Sequence, residues 1–279
     1  MTGQRSYGTV GSVTPNGVAR EDAPLLQSSR RPGRAGWRRR MTAELSCSWA
    51  DAVLLACYLV TGLLDSSSIQ VWGAFVSMQT GNTVYVGLGL ASLVSTTPSP
   101  RLFKSAVSIS CFCLGSFFFA RFHRFFSPRR RWVLCASFAA QSLLTSAAAL
   151  ITSTHPPGVN EKDALAWNVL LPIALVAFQS CGQAVTSRAL RQEALTSVVL
   201  TGIYCDLFSD RDLFALQNVT RNRRVAAPLL LLLGAVAGGL FSNSSVGIAG
   251  TLWIAAGLKL CMVVTWFFWA AEADAEDED

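Results

Sequence analysis

Eight apolar stretches follow one another along the chain, at roughly residues 49–64, 69–94, 105–120, 132–152, 165–187, 195–209, 225–241 and 246–270. Most are about 16 to 26 residues long with few charges, the length that carries a helix across about 30 Å of hydrocarbon. The pattern predicts an all-α, polytopic helical membrane protein. Breakers punctuate it, with Pro98 and Pro100, Pro128, and Pro156-Pro157-Gly158 falling between stretches.

Two stretches are interrupted by a Thr-Gly step. The second holds Gln79-Thr80-Gly81-Asn82-Thr83, and the sixth, only about 22 Å long as helix, holds Thr201-Gly202 near its middle. Arginine placement bears on whether these two cross. Arg30, Arg31, Arg34, Arg38, Arg39 and Arg40 precede the first stretch, and Arg121, Arg124, Arg129, Arg130 and Arg131 follow the third. Arginine-rich flanks belong in the cytoplasm, yet an odd number of crossings cannot return the chain to one side. The same conflict surrounds the sixth stretch, between Arg188 with Arg191 and Arg221, Arg223 and Arg224. About six spanning helices, with the two Thr-Gly stretches broken or re-entrant, resolve both conflicts and leave only Arg101 and Lys104 on the unexpected side. Both termini are then cytoplasmic; eight spans is the alternative. Non-helical backbone at membrane depth is tolerated where it is buried in protein or lines an aqueous cavity.

The resulting domains are a basic cytoplasmic tail (1–47), a helical membrane domain (48–270, with half-repeats at about 48–152 and 165–270) and an acidic cytoplasmic tail (271–279). The first tail is polar, aperiodic and rich in Gly, Ser, Pro and Arg, the composition of disorder. No short apolar core with a cleavage site precedes its arginines, so the first span is expected to act as its own insertion signal. Within it, Glu21-Asp22-Ala23-Pro24-Leu25-Leu26 matches the acidic dileucine pattern that clathrin adaptors read, with Glu21 against a basic rim and Leu25 and Leu26 in an apolar pocket. Patterns this short also recur by chance. The expected location is integral, in the plasma membrane or a vacuolar or endosomal membrane. The acidic run from Glu272 lies on the same side as the basic stretch 121–131.

Composition agrees. Of 279 residues 51% are hydrophobic and 14% charged, more apolar surface than a soluble domain of this size buries. The net charge of +6 is gathered beside apolar stretches, so lipid headgroups explain it and nucleic acid is not an expected partner. The eight cysteines never form Cys-x-x-Cys and read as small, reduced, buried side chains. The two histidines, His123 and His155, fall in expected connections. No metal site, cofactor or catalytic triad is expected, and the chain does not read as an enzyme.

Polar groups inside hydrocarbon are costly and mark candidate sites. Lys259 lies mid-stretch, about 13 Å or more from either interface along the helix, so a protein-facing, paired ammonium is expected. Asp65 and Asp206 are its candidate partners, and Gln79, Asn82, Gln179 and Gln183 could complete the hydrogen bonding that a buried pair needs. The other outcomes for the aspartates are a register-fixing pair or water-facing helix caps. Gln179, Gln183 and Thr186 share a helix face, as do Thr61 with Asp65 and Gln141 with Thr145; such stripes line a cavity or bond helices together. Pro172 is expected to kink its helix. Gly234-x-x-x-Gly238 reads as a close-packing surface, and Trp49, Trp132, Trp253, Trp266 and Trp269 as interface anchors.

The two halves echo each other. In each, a span ends in a polar patch (Asp65; Gln183) and a Thr-Gly follows within an apolar stretch (Thr80-Gly81; Thr201-Gly202). With three spans per half this is a candidate inverted repeat, an architecture of many secondary transporters. The Gly62-x-x-Asp65 segment with Gln79-Thr80-Gly81-Asn82-Thr83, and Phe178-Gln179-Ser180-Cys181-Gly182-Gln183 through Thr201-Gly202-x-Tyr204-x-Asp206, resemble the YoaK-like family (domain of unknown function 1275), the second stretch its fungal branch. The chain departs from that pattern in having Gly182-Gln183-Ala184 where many members have a small residue and Gln-Asn. The resemblance covers about residues 48–270 and implies a membrane fold of about six helices, without an established activity.

Transport of a small molecule or ion therefore leads over a non-transporting membrane partner or assembly factor, with proton coupling as the form that titrating carboxylates would suit. The candidate transport residues are Asp65, Gln79, Thr80, Gly81, Asn82, Gln179, Gln183, Thr201, Gly202, Asp206 and Lys259, with both Thr-Gly elements expected to face each other across the interior near Lys259.

Overall fold

The computed structural model describes residues 34–46, 49–93, 99–158, 164–192, 195 and 197–272. Among them lie helices α1 (Arg34–Thr42), α2 (Ala50–Val71), α3 (Gln79–Ser92), α4 (Pro100–Phe126), α5 (Arg131–Thr154), α6 (Trp167–Ala189), α7 (Thr201–Phe208), α8 (Val219–Ser242) and α9 (Gly247–Phe268). Six of these, α2, α4, α5, α6, α8 and α9, are long and apolar enough to cross a membrane. Helices α3 and α7 have 14 and 8 residues, about 21 and 12 Å, and fall short of the hydrocarbon thickness. Each begins at its Thr-Gly step: Gln79-Thr80-Gly81 opens α3 and Thr201-Gly202 opens α7.

Contacts between distant segments decide that the short helices do not cross. Asp51 at the start of α2 pairs with Arg223 at the start of α8 (2.7 Å), and Gln70 near the end of α2 donates to Asn243 just past α8 (2.7 Å). Helices α2 and α8 therefore run side by side in one direction. That requires an even number of crossings before α8, so α3 and α7 either both cross or neither does. The Leu45 N–H donates to Arg129 O (3.0 Å), placing residues 45 and 129 on one face, so α2 and α4 cross between them and α3 does not; α7 therefore does not cross either.

Helix α2 packs on α8, α4 on α6, and α5 on α9; α6 also lies against α5, α9 against α2, α3 against α4 and α7 against α8. Exchanging α2–α5 for α6–α9 leaves this set unchanged. The α2–α8 contact becomes α6–α4, α3–α4 becomes α7–α8, and α5–α9 maps onto itself. The symmetry reaches individual residues. A side chain at Gly234 of α8 would meet Leu59 O of α2, and one at Gly115 of α4 would meet Phe178 O of α6. Leu59 to Phe178 and Gly115 to Gly234 are the same step of 119 residues. The expected glycine packing surface is thus real, and has a counterpart in α4.

Large apolar side chains face outward along the spans, among them Leu114 and Phe117 of α4 and Leu232, Leu233 and Val236 of α8, as lipid-facing helices require. Trp266 differs from the interface expectation: it is 1% exposed and packs beside Phe138 and Trp269. The two basic residues on the unexpected side both have work at the α2–α3 turn. Lys104 Nζ donates to Trp72 O (3.0 Å) just past α2, where a helix end carries partial negative charge. Arg101 lies over the Tyr85 ring (4.6 Å).

Within the stretch expected to be a structureless tail, Arg34–Thr42 forms a helix. Helix α1 packs on α5, and Leu45 is buried. Residues 43–46 join the 129–131 and 270–272 segments through backbone bonds: Leu45 N to Arg129 O, Arg131 N to Ala43 O, Ser46 N to Ala270 O and Glu272 N to Glu44 O. Three irregular segments thereby satisfy one another's polar groups, a device with no local sequence signature. Glu272 also lies 3.6 Å from Arg129, so the acidic end meets the basic stretch. Glu21, Leu25, Leu26 and the acidic run after Glu272 lie outside the described residues.

Candidate functional site

Between α2 and α3 the backbone leaves the helix within the bundle, and its polar groups need partners. They come from four helices. Asp65 Oδ1 of α2 accepts from the Val76 and Ser77 N–H groups (2.9 and 2.8 Å). Asn82 of α3 accepts from Phe75 N (3.0 Å) and donates to Phe75 O (2.7 Å), much as a neighbouring strand would. Ser108 of α4 donates to Phe75 O (2.7 Å), and Ser180 of α6 to Val76 O (2.9 Å). Gln79 Nε2 also donates to Val76 O (3.1 Å), and its Oε1 accepts from Asn82 (2.8 Å). Gly81 is held to glycine by the Phe75 ring, which a side chain would strike. Asp65, Gln79, Gly81 and Asn82 are therefore brought together as a clamp on the broken backbone, while Thr80 is exposed.

The second half repeats the device in a sparser form. Gln183 Nε2 of α6 donates to Ser197 Oγ (2.7 Å), in the segment before α7, and to Thr61 Oγ1 of α2. Beyond it the correspondence stops. Thr201, Gly202 and Asp206 are exposed, Gly202 has open space beside it, and Asp206 is bonded through its backbone carbonyl to Arg224 (3.2 Å). Helix α7 buries only Ile203 and Leu207, and Ile203 packs with Leu54, Tyr58 and Ala227. Its Thr-Gly step consequently faces away from the interior, and the two Thr-Gly elements do not converge.

Lys259 of α9 is fully buried, but its partners are amides. Nζ donates to Gln141 Oε1 of α5 (2.7 Å) and Gln183 Oε1 of α6 (3.1 Å). Neither expected carboxylate pairs with it, because Asp65 is committed to the Val76 and Ser77 amides and Asp206 lies at the surface. Polar contacts continue from Gln141 Nε2 to Ser137 Oγ (3.4 Å), and the Ser137 and Thr186 hydroxyls lie 3.3 and 3.2 Å from His123 Nε2. His123 is thus no connection residue. Helix α4 runs past its apolar stretch to Phe126, where Phe122 and Phe126 pack on Trp132, and His123 is 2% exposed. Gln179 is buried near this row, and neither of its amide atoms has a hydrogen-bond partner among the described residues.

A cavity of about 730 Å³ adjoins the break. Ser77, Gln79 and Thr80 line one part of it, and Ser116, His123 and Arg124 of α4 and Arg188 of α6 line the rest with apolar neighbours. A family profile described as "Protein of unknown function (DUF1275)" matches residues 53–265, from the first turn of α2 nearly to the end of α9. The chain belongs to the DUF1275 family. No curated protein and no solved structure gave a significant match.

In this DUF1275 chain the clamp's serines, Ser108, Ser180 and Ser197, and the cavity residues His123, Arg124 and Arg188 were not singled out by sequence reasoning as site residues. A serine in an apolar run is too common to stand out. The arginines already had a sufficient explanation in orientation.

Proposed function

We propose that this multi-pass DUF1275 membrane protein transports a small molecule or ion. The observation that carries the proposal is the cavity of about 730 Å³ that extends from Arg124 and Arg188 to the broken backbone ahead of α3. Transporters place substrate where an interrupted helix meets such a cavity, because the free ends of the interrupted helix offer unpaired polar groups there. Support comes from the exchange relation between α2–α5 and α6–α9, which gives a bundle able to rock about α5 and α9. Lys259 stands where those two helices meet, bonded to Gln141 of α5 and Gln183 of α6. Its bonds couple three helices that would shift relative to one another during alternating access. Positive-inside orientation puts Arg124 and Arg188 at the cytoplasmic face, so the cavity opens inward.

The test is reconstitution of purified protein in liposomes with a trapped pH dye, under imposed gradients of sugars, amino acids, organic acids and inorganic ions. Solute or proton flux should exceed that of protein-free liposomes, and Lys259→Met should lower it about tenfold or more, the effect of losing a charge-assisted hydrogen bond. Wild-type protein indistinguishable from empty liposomes across the whole panel would remove the proposal. Full activity in a folded Lys259→Met protein would remove the role of Lys259.

A further inference from the structure

Cationic groups from two helices meet in the cavity beside the break. Arg124 of α4 and Arg188 of α6 line it with His123, and the described residues of its lining include no Asp or Glu. Neither arginine has an ion-pair partner among the described residues. His123 is 2% exposed, and its Nε2 lies within hydrogen-bond distance of the Ser137 and Thr186 hydroxyls, which leaves Nδ1 without a partner among the described residues. A buried polar atom without a partner costs about 1–3 kcal/mol, and such atoms are uncommon enough to call for a ligand or other partner. Between this end and the break the wall is largely apolar, with Phe112, Ala120, Ala184 and Val185.

The far end has a different character. Ser77, Gln79 and Thr80 line it, and the first turn of α3 has no side-chain cap. Asp65 lies behind Ser77, on whose N–H its carboxylate is bonded (2.8 Å). A second negative charge is therefore disfavoured at the break, whereas the arginine end favours one. The cavity is polarised along its length: cationic at one end, apolar in the middle, and polar with a nearby carboxylate at the other.

We propose that this cavity binds a small organic anion, with its acidic group held between Arg124, Arg188 and His123 and its apolar body directed toward α3. Guanidinium groups suit such a ligand because they form paired, charge-assisted hydrogen bonds to carboxylate or phosphate oxygens. The apolar wall selects an anion with a hydrocarbon body over a bare inorganic one. The same chemistry is presented by a soluble carboxylate and by the headgroup and first acyl carbons of an anionic lipid. As the identity of a transported substrate this inference rests on the transport proposal; as a binding site it stands apart from it.

The experiment uses the full chain in nanodiscs of phosphatidylcholine, with hexanoate as probe and hexanamide and hexylammonium as matched controls. Binding is read from thermal unfolding monitored by tryptophan fluorescence. Hexanoate should raise Tm saturably, and the two controls should not. Arg124→Gln and Arg188→Gln, both at exposed positions, should each weaken the apparent affinity about tenfold, the effect of removing one charge-assisted contact. The parallel Lys variants should recover part of it. A second arm replaces hexanoate by nanodiscs containing phosphatidylglycerol. Stabilisation there that the same Gln variants abolish, without a hexanoate response, assigns the anion to lipid and still supports the site. Absence of response in both arms overturns the proposal, as does an equal response to hexylammonium or retention of full affinity in a folded double Gln variant. Because binding is read without flux, binding without transport would sink only the transport proposal. Transport of other solutes without anion binding would sink only this one.

Discussion

At the scale of single residues, the polar signature around α3 is first an answer to a backbone problem. Asp65 is surrounded by main-chain donors, and its role follows from which atom they use. Both Val76 N and Ser77 N bond to Oδ1, an acceptor that asparagine also has. Asp65→Asn should therefore fold, at a cost of about 1 kcal/mol for exchanging a charged acceptor for a neutral one. Asp65→Ala leaves two buried N–H groups unpaired and should cost about 2–5 kcal/mol, read from thermal or denaturant unfolding in detergent. Equal destabilisation by the two variants would mean that the charge, and not the acceptor, holds the break. Asn82 is tested in the same way. Asn82→Asp keeps an acceptor for Phe75 N but loses the donor to Phe75 O and brings a carboxylate against that carbonyl. It should destabilise by about 2 kcal/mol or more, and retention of wild-type stability would argue against the strand-like pairing. This role was not legible in the sequence, because the partners of Asp65 and Asn82 are main-chain atoms that every residue type possesses.

Among the helices, the close approaches are where a single carbon has the largest effect. Gly115 and Gly234 face the carbonyls of Phe178 and Leu59, and an added Cβ at either would collide with main chain that no rotamer change can move. Gly115→Ala and Gly234→Ala should each cost about 1–3 kcal/mol or more, and by similar amounts, since exchange of the two halves turns one contact into the other. Gly239→Ala, next to open space, should be nearly neutral. Unfolding midpoints for the three variants check this, and a neutral Gly234→Ala would contradict the packing of α2 on α8. Much at this scale was legible beforehand. The apolar lengths and arginine positions predicted six spans and two short broken elements, and the Gly234-x-x-x-Gly238 pattern predicted close packing. The counterpart at Gly115 was hidden, because one glycine in a phenylalanine-rich run carries no pattern. The surface position of Thr201-Gly202 was hidden too, since which face α7 buries depends on Leu54, Tyr58 and Ala227 of other helices.

For the whole molecule, the contacts between distant segments constrain topology more tightly than hydropathy does. The Leu45–Arg129 backbone bond joins residues that lie on the same face only if α3 does not cross, and the Asp51–Arg223 ion pair then requires that α7 does not cross either. Six crossings and eight crossings differ in a way that four positions resolve. With six, Ser99 and Ser244 share one side of the membrane, and Ser127 and Ser209 share the other. With eight, Ser99 instead shares a side with Ser209, and Ser127 with Ser244. Single cysteines at these positions, on a background in which the eight native cysteines are replaced, can be labelled in sealed, oriented vesicles with a membrane-impermeant maleimide. The six-span result pairs Ser99 with Ser244. Pairing with Ser209 would break the exchange relation between the halves, because α7 would then be a span and not an interruption, and if α3 crossed too the cavity would lose the broken helix at its far end. Ser127 adds an internal check, since the same arrangement requires it to label with a cysteine at Ala270, across the backbone bonds that tie residues 43–46 to both the 129–131 and 270–272 segments. Ser127 opposite both Ser209 and Ala270, yet on the same side as a cysteine at Ser46, would confine the error to α7, leaving the clamp at α3 and the cavity beside it intact.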